Sequence, residues 1–175
     1  QTLGGSSFKE IEKRGVGRAT ISRQKSIIEE EIERPSENDQ PCGLFVSKEN
    51  IHFRRMNPSD LDEIMTIERA SFSYPWSPRF FLQELRVPCA RSLLAVLGGK
   101  TVGYIVYWLL PSEVDIHNLA VHPTYRRQGI GRSLLQGVVE EAKRNGAGKV
   151  TLEVRKSNEA AQRLYHSLGF VARGV

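Results

Sequence analysis

The stretch NLAVHPTYRRQGIGR, residues 118–132, decides the fold of this chain. A strand pattern ends at Val121, and an amphipathic helix pattern begins beside the paired glycines Gly129 and Gly131. Glycines at a strand-to-helix turn let the backbone bend tightly and approach a ligand closely. The first amides of the following helix have no intrahelical acceptor, and the helix dipole favours an anion beside them. The stretch therefore predicts a turn that binds a pyrophosphate, with arginines adding positive charge.

Two better-known phosphate loops do not fit this stretch. A P-loop has Lys and then Ser or Thr after its last glycine, whereas Gly131 is followed by Arg132 and Ser133. The dinucleotide-binding fingerprint needs a third glycine within a βαβ unit. Taken by itself, the glycine pair leaves open an ordinary strand-to-helix turn with solvated arginines.

Strand and helix patterns alternate on both sides of this turn. Strands are predicted over 51–56, 92–97, 101–110, 113–121 and 150–154, with a last one from Phe170, and helices over 58–72, 78–85, 131–144 and 158–168. The nearly continuous apolar run 101–110 is typical of a strand buried on both faces. The order of the elements predicts an α/β domain around a mixed sheet.

The first 50 residues differ from the rest of the chain. Residues 1–50 are polar and rich in Gly, Ser and Glu, and only 21–32 hints at a helix. This composition favours a disordered N-terminal extension, followed by one domain over 51–175. The acidic residues argue against an organelle-targeting segment.

Charge and cysteine usage exclude several classes of protein. The net charge of +5 is made up of −1 in residues 1–50 and +6 in the predicted domain, and a basic domain suits an anionic cofactor, an acidic substrate or nucleic acid. No basic stripe interleaved with aromatic residues is present, so nucleic acid is not a predicted partner. No apolar run is long enough to predict a membrane span. Cys42 and Cys89 share no motif spacing, so we expect neither a disulfide framework nor a metal site, and a reducing, cytoplasmic compartment fits.

The pattern Arg126-x-x-Gly129-x-Gly131 resembles the acetyl-CoA signature of the GNAT N-acetyltransferase family, and the resemblance extends over about residues 51–175. It implies a GNAT fold, with a mostly antiparallel twisted sheet flanked by about four helices, and acetyl-CoA as co-substrate without a metal. In the family the strand before the loop splays from its neighbour and pairs its backbone with the pantetheine arm. By resemblance, that role falls on Leu119, Ala120 and Val121, and the pyrophosphate on Arg127, Gln128, Gly129, Ile130, Gly131 and Arg132. Arg126, the first residue of the signature, is a further cofactor-binding residue by the same resemblance.

A second block, VTLEVRKSNEAAQRLYHSLGF at 150–170, resembles the C-terminal half of RimI-type enzymes, the ribosomal-protein-alanine N-acetyltransferases. The resemblance implies Glu153 as proton acceptor, Tyr165 as proton donor and Asn158 as a cofactor contact. The chemistry agrees, because an ammonium must lose a proton before it attacks a thioester and the leaving thiolate must gain one. No nucleophilic Cys or Ser lies in a recognisable triad, so we expect direct transfer in a ternary complex.

Each residue of this pair also has a simpler interpretation. Tyr165 shares an apolar helix stripe with Leu164, and that spacing alone favours a core tyrosine with a solvated tip. Glu153 alternates with Leu152, and by itself it is typical of a surface glutamate paired with Arg155. The two residues together, at the RimI spacing and after the phosphate turn, favour catalysis.

The acceptor side is indicated by SFSYPWS, residues 71–77, which also resembles RimI-type sequences. The resemblance implies that Tyr74 and Trp76 line a peptide site, and a loop packed on the core is an equal alternative. His117 flanks the cofactor strand, where a lone histidine is more often structural than catalytic. RimI-type chains usually continue past the strand that starts at Phe170, so we expect an open sheet edge there that invites another chain.

The resemblance implies acetyl transfer from acetyl-CoA to the N-terminal α-amine of a protein. The nearest known preference is the N-terminal alanine of a ribosomal protein, so the expected partner is a protein or peptide N-terminus. We expect a cytoplasmic monomer or weak dimer that needs no membrane. Two alternatives stay open: a GNAT enzyme acting on lysine or a small amine, and a non-catalytic module that binds acetyl-CoA.

Overall fold

The structure, a computed structural model, describes residues 25–31 and 51–174, which form seven strands and four α-helices. The strands are β1 (Lys25–Glu31), β2 (Ile51–Arg55), β3 (Ala90–Leu97), β4 (Lys100–Leu109), β5 (Glu113–Val121), β6 (Lys149–Arg155) and β7 (Val171–Gly174). The helices are α1 (Leu61–Ser71), α2 (Pro78–Glu84), α3 (Ile130–Arg144) and α4 (Glu159–His166). Among these helices, none has the length and apolar character needed to cross a bilayer.

The strands form one mixed sheet in the order β2-β3-β4-β5-β6-β1-β7. Only β5 and β6 pair in parallel, and the other neighbouring strands are antiparallel. Parallel neighbours need a crossover connection, and α3 supplies it between β5 and β6. The predicted α/β fold, with about four helices around a mostly antiparallel sheet, is confirmed.

β1 corrects the prediction for part of the N-terminal extension. Lys25–Glu31 was expected to be disordered with a hint of helix, but it forms a strand between β6 and β7. Each of its residues lies opposite a residue of β6, from Lys25 beside Arg155 to Glu31 beside Lys149. Such pairing to a distant strand outweighs the weak helix propensity of a short, Glu-rich run. The remainder of the predicted extension, 1–24 and 32–50, lies outside the described residues.

The same strand changes which neighbour the last strand has, while the last strand is still at an edge of the described sheet. β1 pairs with the full length of β6 on one side and with β7 on the other. The strand after Phe170 therefore lies against β1, rather than against β6, at one end of the sheet.

Side-chain caps fix where α1 and α2 begin, and so fix the loop between them. Before α1, the Asn57 side chain accepts from the Ser59 amide at 2.9 Å, and the Asp60 carboxylate accepts from the Asn57 amide at 2.8 Å. This reciprocal capping box precedes the helix by a single 3-10 turn. Before α2, the Ser77 hydroxyl accepts from the Phe80 amide at 3.2 Å, with Pro78 in the first helical position. Both helix starts agree with the sequence.

Apolar side chains fill the space on both faces of the sheet. One core lies under α3 and α4, and it includes Leu134, Val150 and Leu152. The other lies under α1 and α2, and it includes Ile64 and Phe81. Full burial of each such side chain stabilises the fold by about 1.5–3 kcal/mol. Because strand residues alternate between faces, the residues between the buried positions of β6 point to the α1/α2 face.

Candidate active site

β5 and β6 lie side by side only over their first halves. Their pairs run from Glu113 beside Lys149 to Ile116 beside Leu152, although β5 continues to Val121. On its other edge β5 stays paired with β4 through Val121. Within the described residues, the last part of β5 therefore has no strand beside its β6-facing edge. Its backbone groups on that edge are available to an extended ligand. The predicted splay is confirmed; pantetheine binding by Leu119, Ala120 and Val121 stays a prediction.

A bulge in β5 lies at the start of this divergence. Val106 of β4 faces Asn118 and Tyr107 faces Ile116, so His117 is an extra residue on the β5 side. An extra residue of this kind bends the strand and re-aims the side chains that follow. The bulge therefore turns β5 away from β6 where the groove opens.

The turn after β5 has the backbone geometry of an anion site. Gly129 is the N-cap of α3, and its φ is +84°, a left-handed value that favours glycine. Arg127 also has a positive φ, of 66°. The Ser133 amide is the first to bond back to a carbonyl of the turn, that of Gly129 at 3.0 Å. The amides of 130–132 precede it and point out of the helix without intrahelical acceptors.

Gly131 serves a different purpose from Gly129. A Cβ atom at Gly131 would lie 3.4 Å from Leu164 Cδ2, whereas one at Gly129 would meet nothing within 4 Å. Leu164 is on α4, directly before Tyr165, so α4 packs against the first turn of α3. The Arg132 guanidinium strengthens this contact by donating to the Ser167 hydroxyl at 2.7 Å. The predicted phosphate turn and the helix with the predicted proton donor thus lie together.

Arg126 differs from the neighbouring arginine of the turn. Its Nε atom donates to the Val121 carbonyl at 3.0 Å, and its Nη2 atom donates to the Ser71 hydroxyl at 3.0 Å. The Arg126 guanidinium therefore ties the end of β5 to the end of α1. Arg127 and Gln128 are exposed, and no ion pair or hydrogen bond of the Arg127 guanidinium occurs among the described residues. Their predicted contacts with a pyrophosphate stay predictions, as does the predicted cofactor contact of Arg126.

Glu153 is exposed on β6, one residue past the last pair between β5 and β6. It lies on the face that carries α1 and α2, because its neighbours Leu152 and Val154 are buried under α3 and α4. On the other edge of β6, Ile27 of β1 is its partner in register. Glu153 thus lies where β6 and β5 part, at the opening of the groove. Its role as proton acceptor stays a prediction.

Tyr165 is buried on α4, with 7% of its surface exposed, and its ring packs 5.9 Å from that of Phe170. Burial raises the pKa of Tyr165 to about 12. The phenol therefore keeps its proton at neutral pH, as a proton donor must. The core interpretation of Tyr165 holds for its ring, and the donor role of its hydroxyl stays a prediction.

Asn158 has a structural role in addition to its predicted contact with the cofactor. Its side chain accepts a hydrogen bond from the Ala161 amide at 3.2 Å and so caps α4. Asparagine directly before a helical run is a common cap, so the sequence held a signal for this role. Through α4 the cap also fixes the position of Tyr165.

The loop between α1 and α2, residues 72–77, is here called the acceptor loop. Tyr74 is 68% exposed, while Trp76 packs its ring 4.5 Å from Phe80 and 5.3 Å from Phe81. Of the two predicted substrate residues, Trp76 therefore has the core contact that was the alternative interpretation. Tyr74 alone presents its ring outward.

A buried polar cluster that the sequence analysis missed lies behind this loop. Glu68, on α1, is 1% exposed, and its carboxylate accepts hydrogen bonds from the Trp76 amide at 2.7 Å and from the Tyr104 hydroxyl. Asn118 Nδ2 lies 3.4 Å from both carboxylate oxygens. Burial raises the pKa of Glu68, and the Tyr104 and Trp76 bonds oppose that shift. The missed signal was its position four residues after Ile64, on the apolar side of α1.

His117 and Asp115 lie near the base of the groove. The Thr151 hydroxyl donates to Asp115 Oδ1 at 3.1 Å, which links β6 to β5. His117 stacks on Trp108 at 4.6 Å, and its Nε2 lies 3.4 Å from Asp115 Oδ2 without hydrogen-bond geometry. These contacts are those of a structural histidine, which is the role that its sequence position favours.

The sheet, the divergence of β5 and β6, and the left-handed turn define an acetyl-CoA-dependent N-acetyltransferase fold. The acetyltransferase (GNAT) family model matches residues 61–170, and the chain belongs to this family. Its enzymes use acetyl-CoA, and the described residues fit that co-substrate. The free amides of 130–132 suit its pyrophosphate, and the unpaired edge of β5 suits its amide-bearing arm.

Comparison with known proteins shows which GNAT enzymes this chain resembles. The chain is 35% identical over 115 residues to the ribosomal protein bS18-alanine N-acetyltransferase of Escherichia coli K12, covering 66% of this chain and 77% of that protein. It is 40% identical over 105 residues to the N-alpha-acetyltransferase RimI of Mycobacterium tuberculosis, covering 58% and 65%. The crystal structure of the ribosomal-protein-S18-alanine N-acetyltransferase from Escherichia coli superposes with a TM-score of 0.65 at 32% identity, covering 69% and 77%. This chain is thus a GNAT acetyltransferase similar to RimI enzymes.

Proposed function

We propose that this protein acetylates the N-terminal α-amine of a protein, with a ribosomal protein as the acceptor. The observation that carries the proposal is the groove between β5 and β6, with Glu153 beside its opening and Tyr165 on the helix against the phosphate turn. The names of its relatives support the choice of acceptor. The proposed enzyme acts in the cytoplasm, where ribosomal proteins are made. It is a monomer or weak dimer, and it needs neither nucleic acid nor a membrane.

The turn and the strand edge would align the thioester. The amides of 130–132 and the exposed Arg127 hold the pyrophosphate, and the backbone of 119–121 pairs with the pantetheine arm. This leaves the thioester near the place where β5 leaves β6. Holding both reactants in one geometry replaces a bimolecular encounter and lowers the entropic part of the barrier.

Glu153 would take the proton from the acceptor ammonium, directly or through a water molecule. The freed amine nitrogen then attacks the thioester carbonyl carbon, so that a C–N bond forms and the C–S bond breaks. Tyr165 gives its proton to the departing thiolate, and the second proton of the attacking nitrogen returns to the Tyr165 phenolate. The amide and the thiol are then both neutral, and Glu153 releases its proton to solvent. Each such proton transfer typically contributes about 100- to 10,000-fold in rate. No acyl-enzyme is needed, because the amine attacks acetyl-CoA itself.

The acceptor loop and the exposed ring of Tyr74 would border the peptide side of the groove. A protein N-terminus is a flexible, narrow strand of backbone, and it can enter a groove on the sheet with its amine leading. An exposed aromatic ring adds contact area at small entropic cost.

Acetylation of synthetic peptides, read by mass spectrometry, tests the proposal. We expect acetyl-CoA to modify the α-amine of a peptide that begins with alanine, and not a peptide whose amino terminus is blocked and whose only amine is a lysine. Glu153→Gln and Tyr165→Phe should bind CoA normally but turn over at least roughly 100-fold more slowly. Modification of the lysine peptide or of a small amine alone would refute the proposed acceptor. Turnover that survives both substitutions would refute the proposed roles.

A further inference from the structure

We propose that Glu68 is a positioning residue for acetyl transfer, because its buried carboxylate holds the acceptor loop against the cofactor strand β5. The inference rests on the proposed function in one respect, namely that residues 72–77 border the acceptor. It adds a residue that lies outside the phosphate turn and outside the pair Glu153 and Tyr165.

The first link runs from Glu68 to the acceptor loop. The Trp76 amide donates to Glu68 Oε1 at 2.7 Å, eight residues along the chain. A backbone bond constrains the path of the loop itself, whatever its side chains do. Tyr74, two residues earlier, is the exposed aromatic of that loop. The path of the loop that carries Tyr74 therefore depends on the Glu68 carboxylate.

The second link runs from Glu68 to the cofactor strand. Asn118 Nδ2 lies 3.4 Å from both oxygens of Glu68, and the Tyr104 hydroxyl donates to Oε2. Asn118 belongs to the part of β5 that has left β6 and keeps only β4 as a neighbour. In this part of the strand, side-chain bonds from α1 replace some of the support that a second neighbouring strand would give.

A third contact joins the same end of α1 to the end of β5. Arg126 bonds both Ser71, in the last turn of α1, and the carbonyl of Val121. The segment 118–121 is thus attached to α1 at both of its ends, by Glu68 at one and by Arg126 at the other. Residues 119–121 of this segment are those predicted to bind the pantetheine arm.

Stability alone does not call for a carboxylate at this position. Burying a charge costs free energy, and a well-packed apolar side chain of similar volume is often as stable or more so. No lysine or arginine pairs with Glu68 among the described residues. The carboxylate instead fixes the relative positions of three elements, because its two oxygens accept hydrogen bonds from the acceptor loop, β4 and β5. Glutamine has one acceptor oxygen, and its NH2 group would face donors.

The test compares Glu68→Gln with the matched control Glu63→Gln. Glu63 is on the same helix and also accepts a backbone amide, that of Thr101 at 2.9 Å, but this bond does not involve the acceptor loop. We expect Glu68→Gln to raise the acceptor KM by roughly tenfold or more, as the loss of a hydrogen bond to a charged group implies. We expect kcat and the Kd of acetyl-CoA to stay within about threefold of the parent, and Glu63→Gln to leave the acceptor KM unchanged. A raised acceptor KM with an unchanged kcat and an unchanged Kd of acetyl-CoA would not arise from a general loss of folded protein.

Hydrogen exchange at the Trp76 amide gives a reading that does not depend on the acceptor. In Glu68→Gln this amide should exchange at least roughly tenfold faster than in Glu63→Gln, while amides in β4 keep their protection. Should Glu68→Gln fail to fold, Tyr104→Phe keeps the carboxylate, removes one donor and should show both effects at smaller size. An acceptor KM and a Trp76 exchange rate equal to those of the control would overturn the proposal. If the parent acetylates only lysine or a small amine, the proposed function fails, while the exchange rate and the KM for that amine still decide the role of Glu68.

Discussion

The guanidinium of Arg126 donates a hydrogen bond from Nε to the carbonyl oxygen of Val121, at 3.0 Å. It spans the turn between β5 and α3 and also reaches Ser71 on α1. One side chain thereby fixes the end of the strand, the turn and the helix that precedes the acceptor loop. Its neighbour Arg127 is exposed and has no comparable contact among the described residues. The two adjacent arginines should respond differently to substitution.

We expect Arg126→Gln to lower the free energy of unfolding by about 1 kcal/mol, because it breaks charge-assisted bonds at an exposed site. Arg127→Gln should change that free energy by less than about 0.5 kcal/mol, yet weaken acetyl-CoA binding by roughly tenfold if it meets the pyrophosphate. Urea unfolding and calorimetric titration with CoA measure the two effects. Equal unfolding free energies for both variants would contradict the stabilising role assigned to the hydrogen bonds of Arg126.

The two glycines of the turn should also differ. Gly129→Ala places a side chain at a φ of +84°, and the left-handed backbone should cost about 1–2 kcal/mol. Gly131→Ala lies in helical geometry, where its Cβ would meet Leu164 at 3.4 Å, so its effect should stay within about 1 kcal/mol in either direction. Thermal unfolding without ligand checks this difference. A Gly129→Ala protein as stable as the parent would show that the turn does not need its left-handed residue.

The pH dependence of Tyr165 follows from its burial. Its pKa is raised from 10.0 to about 12, so the folded state binds the phenolic proton more tightly than the unfolded state does. The stability that the neutral phenol contributes is complete below pH 10 and is lost as the pH rises through about 12. Tyr165→Phe should therefore lose less stability than the parent over that window, in unfolding curves taken at each pH. Identical pH profiles for the two proteins would argue against the raised pKa.

Asn158 allows its two roles to be separated. Asn158→Ala removes the cap of α4 and should cost about 1 kcal/mol of stability, whereas Asn158→Asp keeps a capping oxygen. If Asn158 also contacts the co-substrate, the aspartate variant should bind CoA more weakly, because it brings a negative charge near the phosphates. Binding by Asn158→Asp that equals the parent would limit this residue to capping.

The sequence predicted the elements around the turn because their signals are local. Alternating apolar residues mark β6, a helical stripe marks α3, and Ser77-Pro78 marks the start of α2. The splay of β5 from β6 was available only through the family resemblance, since nothing in the spacing of residues 113–121 indicates where pairing stops.

Other features depend on contacts between distant parts of the chain. The pairing of β1 with β6 joins Ile27 to Glu153, and no periodicity within either segment reveals such a partner. Glu68 was missed because glutamate on a helix is usually exposed. Its burial depends on donors from Tyr104 and Asn118, which lie far along the chain. The bulge at His117 likewise arises from the register with β4 rather than from the residue itself.

The parting of β5 from β6 leaves an open seam in the middle of the molecule, instead of only at its rim. An extended co-substrate that carries its own amide groups would hydrogen-bond along this gap and complete the sheet for as long as it stays bound. The free protein should then be loosest at its centre and become rigid there when loaded, so that the acceptor meets a finished surface only after acetyl-CoA has arrived.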